Sequence, residues 1–291
     1  MTALGDRLFS GLATAAGVLI LATLAGVAGF LVLEAWPAIT ADAPGLAKYI
    51  WPLAFGTVVA AAIAVVIAVP MAIAVALFIS HIAPPRVAQP LSYLIDLLAA
   101  IPSVIYGLWG IAVLGPASVG LQRWLEEHLG FLPFFAGPAS ATGRTMLVAG
   151  VVLAVMILPI ITAVARSVFV QTPRRLQEGA QALGATRWEM IRMTVLPFGR
   201  SAIISASMLG LGRALGETMA VAIVLSVSGA VTLNLIGSGN PSTIAAHIAL
   251  DFPESSGPAV NALIAAGLVL FAVTLAVNMA ARAVINRQLR I

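Results

Sequence analysis

The stretch Glu178–Pro197, EGAQALGATRWEMIRMTVLP, is polar and arginine-bearing in a chain otherwise suited to lipid. Ahead of it, Thr172-Pro173 supplies an N-cap with proline at the first helical position. Leu176, Ala180 and Leu183 recur at helical spacing, and Gly184 suits a left-handed stop. Thr186 and Glu189 form a T-x-x-E capping box that starts a second helix, with Trp188, Ile191 and Val195 along one face. Leu196-Pro197 is expected to end it. The sequence thus predicts two short amphipathic helices joined at a glycine, with Arg174, Arg175, Arg187 and Arg192 around them. A membrane chain keeps such a segment in water where a soluble partner docks. The bland alternative is a hairpin lying on lipid headgroups.

The flanking sequence sets that context. Charged residues are 9% of 291, and mean hydropathy is +1.07. A soluble domain of this length needs far more polar surface. Apolar runs, each about 20 residues or longer as a helical crossing requires, fall at roughly 11–33, 54–80, 91–114, 145–165, 201–228 and 259–281. The short alternating segments of a membrane barrel are absent from the sequence. The expected fold class is therefore an all-α membrane protein, one transmembrane domain over 1–291 with six transmembrane helices and a water-facing loop at 166–200. Ala41-Asp42-Ala43 resembles a signal cleavage site. Leu12 to Leu33 is too long for a signal peptide, so the first run is read as an uncleaved span.

Charge orients the chain. With the N-terminus inside, Arg7, Arg86, Arg166, Arg174, Arg175, Arg187, Arg192, Arg200, Arg282, Arg287 and Arg290 fall on the cytoplasmic side, against Lys48, Arg123 and Arg144 outside. Both termini are then cytoplasmic. Glu34, Asp42, Glu126, Glu127, Asp251 and Glu254 fall outside. The pI near 10.3 thus reflects topology, and no nucleic-acid partner is implied. The absence of cysteine excludes disulfides and thiolate chemistry. His81, His128 and His247 lack metal-site spacing, and no nucleophile–base pattern marks a catalytic residue. Trp36, Trp51 and Trp124 suit outer interfacial anchors. The glycine- and proline-rich outer loops, such as Gly237-Ser238-Gly239-Asn240-Pro241, suit either a docking surface or plain loops.

One cation lies off the loops. Arg213 is about 18 Å along the fifth run from Ser201, at 1.5 Å per residue, with Glu217 at i+4 on the same face. Each such charge costs about 2.5–3.5 kcal/mol at the bilayer centre unless it faces protein or water. Gly212, Gly216 and Ala220 form a small-residue stripe beside them for close helix approach. Arginine suits an oxyanion, since its planar fork donates parallel hydrogen bonds and its charge is permanent. Glu217 would neutralise it when the site is empty, and could accept a proton-mediated bond that phosphate offers and sulfate does not. The bland reading is a packing lock. Ser103 and Tyr106, after Pro102, are candidates to offer hydroxyls to a passing anion. Asp96 is read as an acid near water, and Pro70 and Pro102 as ordinary kinks.

Two resemblances follow. The hairpin resembles the cytoplasmic loop of ABC importer permeases: EAA, three residues, Gly, nine residues, I-x-L-P. Here Glu178-Gly179-Ala180, Gly184 and Leu196-Pro197 hold that spacing, with Gly179 for the first alanine and Thr194 for isoleucine. GRALGETMAV (Gly212 to Val221) resembles the signature of phosphate-importer permeases. IPSVIYGLWG (Ile101 to Gly110), Ala68-Val69-Pro70 and Ala83-Pro84 extend the likeness over nearly the whole chain. Met219-Ala220-Val221 favours the PstC type over its PstA sibling.

The resemblance implies a type I ABC importer permease in a bacterial inner membrane. Arg213, Glu217 and Thr218 would lie in the substrate pathway, and Glu178, Gly179, Ala180, Gly184, Leu196 and Pro197 would couple to a cytoplasmic ATPase dimer. The other implied partners are a PstA-type sister permease and an extracytoplasmic phosphate-binding protein. The chain has no P-loop: its one lysine, Lys48, follows Ala47. No cofactor or metal is expected, ATP being used by the partner. The rivals are a permease for sulfate, molybdate or another anion, and an ATP-independent transporter that would leave the hairpin without purpose.

Overall fold

Backbone amides in hydrocarbon have no water to bond to, so each segment must satisfy its own. The computed structural model describes residues 2–288, and helices dominate them. Arg290 lies outside these residues, as do the side chains of Arg7 and Arg287. Helix α1 (Thr2–Ala41) turns at Asp42, whose carboxylate accepts the Gly45 N–H at 2.9 Å, into α2 (Ala43–Leu77) and a π-helical turn, Phe78–Ile82. Then come α3 (Pro85–Ala99), α4 (Ser103–Trp109), a π turn (Gly110–Leu114) and α5 (Gly115–Leu129). Beyond α6 (Met146–Val170) lie α7 (Arg174–Ala182), α8 (Arg187–Met190), a π turn (Ile191–Val195) and α9 (Leu196–Leu215). The chain continues through α10 (Met219–Val224), α11 (Ile244–Asp251) and α12 (Pro258–Gln288).

Among the described residues, six helices are long and apolar enough to cross a membrane: Leu8–Ala41, Ala43–Ile82, Ser103–Leu129, Met146–Val170, Arg187–Leu215 and Pro258–Ala280. The first, second, fourth and sixth cover the expected runs. The third does not. The run 91–114 is cut at Ala100–Pro102, and the spanning helix begins at Ser103. Pro102 has no N–H and disfavours helical dihedrals at Ile101, so it breaks the helix that was expected only to kink. The fifth run, 201–228, also differs. Its helix stops at Leu215, and Gly216-Glu217-Thr218 separates it from α10. Glycine costs helix stability, and short polar side chains compete with the backbone ladder.

The core is α2 against α6, with α9 behind. Ala60, Ala64, Ala68, Ala72 and Ala76 recur every fourth residue of α2, each at most 1% exposed. Lipid gives no hydrophobic push between helices, so close contact of small residues holds them together. Gly150 on α6 admits Ile63 of α2, and Gly210 on α9 admits Ile161 of α6. The Thr162 hydroxyl donates to Leu158 O at 2.8 Å and lies 3.4 Å from Ala72 O. A second cluster joins α1, α2, α11 and α12 through Ala35, Leu53, Ile244 and Ala266.

The loop Gly237–Pro241 leaves only Ser238 and Gly239 exposed. From Asn240 to Ala246 the chain is buried. Thr57 on α2 accepts the Ile244 N–H at 2.9 Å, and Gly56 leaves room for the Ser242 carbonyl. Glycine and proline serve an inward fold there, and little of that loop is open to a partner.

Candidate functional site

The two interrupted spans meet. α4 packs against α10, and Gly107 makes the approach: a Cβ there would lie 2.9 Å from Ala220 Cα and 3.3 Å from Ala220 O. The IYGLWG and GETMAV segments are thus one contact. Tyr106, beside Gly107, is buried and donates its hydroxyl to Leu98 O at 2.8 Å, tying α4 back to α3 across the break. Its proton is committed, and only its oxygen lone pairs remain. Ser103 stands half-buried at the first position of α4, and Thr218 half-buried at the N-cap of α10.

Arg213 occupies the last turn of α9 and is exposed. Glu217, 8% exposed, lies past the helix end and accepts the Ala220 N–H at 3.1 Å. The expected i+4 pairing on one helix therefore does not form. Among the described residues the ion pairs are Arg166–Asp96 and His247–Asp251, and neither involves Arg213 or Glu217. The break explains this. A cation is favoured at a helix C-terminus and an anion at a helix N-terminus, and the interruption gives each charge an end of the fitting sign. Arg213 is left exposed at the C-terminal end of α9, its guanidinium without an ion-pair partner among the described residues.

The hairpin at 172–199 is the second element. Its first helix starts at Arg174, one residue later than expected, with Pro173 at the cap position. Gln177 Nε2 donates to Thr172 O at 3.0 Å and closes the start. Gly184 has φ +89°, the left-handed stop. The capping box is complete: Glu189 N–H reaches Thr186 Oγ1 at 3.3 Å, and Thr186 N–H reaches Glu189 Oε2 at 2.8 Å. The Thr186 N–H and the Thr186 hydroxyl, both donating to Glu189 Oε2, hold that carboxyl below its usual range. Leu196-Pro197 does not end the second helix. A π turn with Leu196 N–H on Ile191 O precedes the proline, and the helix runs on to Leu215. Proline near the start of a new helical register lacks only an N–H that the π turn has already displaced.

Both departures from the EAA pattern are harmless here. Gly179 faces open space, and Thr194 donates its hydroxyl to Met190 O at 2.7 Å. Ala180, Met190, Ile191 and Val195 pack on Ala76, Leu77 and Phe169, anchoring the hairpin to the ends of α2 and α6. Leu176, Trp188, Met193 and Leu183, the last 89% exposed, are apolar side chains open on the hairpin, and Glu178 is exposed as well.

Other pairings escaped the sequence reading. Asp96 contacts Arg166 at 3.8 Å. Tyr49 Oη and His247 Nε2 are 2.7 Å apart, and Asp251 Oδ2 is 3.4 Å from the same nitrogen, linking α2 to α11. Arg144, counted before only as an outer charge, bonds the carbonyls that end α10. The legible signal was an arginine just before a Thr145 N-cap, on a side otherwise rich in acids.

Comparison with known proteins bears on both elements. The family profile described as binding-protein-dependent transport system inner membrane component matches residues 72–290. The chain is 45% identical to phosphate transport system permease protein PstC 2 of Mycobacterium tuberculosis, over 96% of this chain and 91% of that one. It is 37% identical to phosphate transport system permease protein PstC of Mesorhizobium japonicum, over 98% and 91%. Among solved structures, a bacterial ABC transporter involved in the import of the acidic polysaccharide alginate matches with TM-score 0.59 at 18% identity, covering 96% of each chain. An inward-facing MetNI methionine ABC transporter matches with TM-score 0.55 at 17% identity, over 84% of this chain and 95% of that one. At those identities the likeness is one of fold.

Proposed function

Because this chain belongs to the binding-protein-dependent transport system inner membrane components, we propose that it is the PstC-type permease subunit of an ATP-driven phosphate importer. It shares the pathway with a sister permease and takes cargo from an extracytoplasmic binding protein. The 166–200 segment and both termini face the cytoplasm, where arginine is concentrated. The exposed side chains of Leu176, Leu183, Trp188 and Met193 receive the ATPase dimer, which hydrolyses the ATP.

The observation that carries the reading is Arg213: an exposed guanidinium at the inner end of a broken span, without a carboxylate partner among the described residues. An anion arriving there gains paired donors without first displacing an acid. Glu217 has one oxygen on Ala220 N–H and a second to spare. That oxygen accepts the proton of hydrogen phosphate and repels sulfate, which has none.

Uptake competition tests this. In membranes carrying the assembled transporter, Arg213→Ala abolishes labelled phosphate uptake while the subunit still inserts. Glu217→Gln transports, but sulfate now competes. Unchanged uptake in Arg213→Ala removes the site from the mechanism, and unchanged discrimination in Glu217→Gln removes the selectivity argument.

A further inference from the structure

The segment between the 3-10 turn Pro133–Phe135 and α6 is stitched to the chain that follows α10. Ser140 N–H donates to Ile236 O at 2.8 Å, Leu147 N–H to Leu235 O at 2.9 Å, Leu235 N–H to Phe134 O at 2.9 Å and Asn234 Nδ2 to Gly137 O at 3.0 Å. The two strands of this outer cap are thereby one piece. Arg144 joins the piece to α10. Its Nε donates to Val224 O at 3.4 Å, and its Nη2 to Ile223 O at 3.3 Å and Leu225 O at 3.2 Å. A helix of six residues leaves its last carbonyls without internal partners, and a cation is favoured at that end. The opposite end of α10 is the one Glu217 caps, beside Thr218 and one short link from Arg213.

We propose that Arg144 is a positioning residue that fixes α10 to the outer cap, so that load on the cap re-aims the Arg213/Glu217 corner. This rests on the importer reading and assigns the cap as the place where a docked, loaded binding protein acts on the gate. The guanidinium is suited to it: one planar fork holds three carbonyls at once, whereas an ammonium is a single point charge on a flexible stem.

The test uses the assembled transporter in vesicles, as parent, Arg144→Lys and Arg144→Gln. ATP hydrolysis is measured with and without phosphate-loaded binding protein, alongside the concentration dependence of uptake. Basal hydrolysis per assembled complex stays within about two-fold of the parent. Stimulation by loaded binding protein falls roughly ten-fold in Arg144→Gln and about three-fold in Arg144→Lys. The maximal uptake rate falls while half-saturation is unchanged, the pattern of an interaction made on the way to the transition state. A merely structural arginine would lower the amount of complex and leave stimulation per complex intact, and that result overturns the proposal. If Arg144→Gln fails to assemble, Arg144→Lys decides on the same readout. Failure of the parent itself to respond to loaded binding protein sinks the importer reading, and this inference with it, before any variant is made.

Discussion

Gly107→Ala is the sharpest probe of the contact between α4 and α10. The added methyl would meet Ala220 Cα at 2.9 Å, Ala220 O at 3.3 Å and Ile223 Cδ1 at 3.3 Å. Ordinary carbon contacts lie at about 3.5–4.0 Å, so the shortfall against the Cα is roughly 0.6–1.1 Å. The Ile223 methyl can rotate away, but a backbone atom cannot, so the two helices must part. Overpacking of this kind costs about 1–3 kcal/mol. Against it stands a helix-propensity gain of about 1 kcal/mol for alanine over glycine. The net expectation is a loss of about 0–2 kcal/mol. The control is Gly120→Ala on α5, where a Cβ meets nothing within 4 Å and the propensity gain stands alone. Thermal unfolding of the purified protein, read with phosphate uptake per molecule, should rank Gly120→Ala at or above the parent and Gly107→Ala below it, with uptake impaired only in the latter. If Gly107→Ala matched Gly120→Ala in melting temperature and transported fully, the close approach of the broken spans would be refuted.

Further outcomes follow from single residues. Thr57→Val removes the buried acceptor of the Ile244 N–H and should cost about 1–3 kcal/mol, read as a lower melting temperature with α11 the first segment to exchange its amides. Gly184→Ala forces a side chain onto φ +89° at a cost of about 1–2 kcal/mol, and should weaken co-purification of the ATPase while leaving membrane insertion intact. Glu189 has a depressed folded-state pKa, so its capping contribution is complete above its ordinary value of 4.5 and is lost as pH falls through the lower folded value. Amide protection of the hairpin should be flat above 4.5 and decline below it, and Glu189→Gln should abolish the decline.

Hydropathy located the membrane segments because transfer free energy depends on composition summed over a long window. It could not locate the interruptions. Ile101-Pro102 and Gly216-Glu217-Thr218 alter hydrogen-bond continuity over three residues, a change too local for that window. Proline is common enough in membrane helices that kinking was the natural expectation. The hairpin's capping box and glycine stop were legible residue by residue, since Thr186, Glu189 and Gly184 act through neighbours in sequence, whereas the end expected at Leu196-Pro197 was not, because a π turn there carries the helix on. What Arg213 does not pair with was illegible, because it depends on where α9 stops. The alanine row of α2 was present in the sequence at four-residue spacing, yet only α6 lying against it gives the row a role. The Gly237–Pro241 loop stayed open between two readings for a related reason: small residues serve exposed turns and tight burial equally.

Helix Arg187–Leu215 continues across 29 residues through its π turn, with the capping box at one end and Arg213 two residues from the other. At 1.5 Å per residue that is a rod of about 43 Å. Tilted by about 5° about its hairpin end, its far tip sweeps roughly 4 Å, enough to bring a side chain into or out of hydrogen-bond range. Under the proposed roles, the hairpin and Arg213 therefore sit on a single lever, and small angular errors at the fulcrum are magnified at the guanidinium.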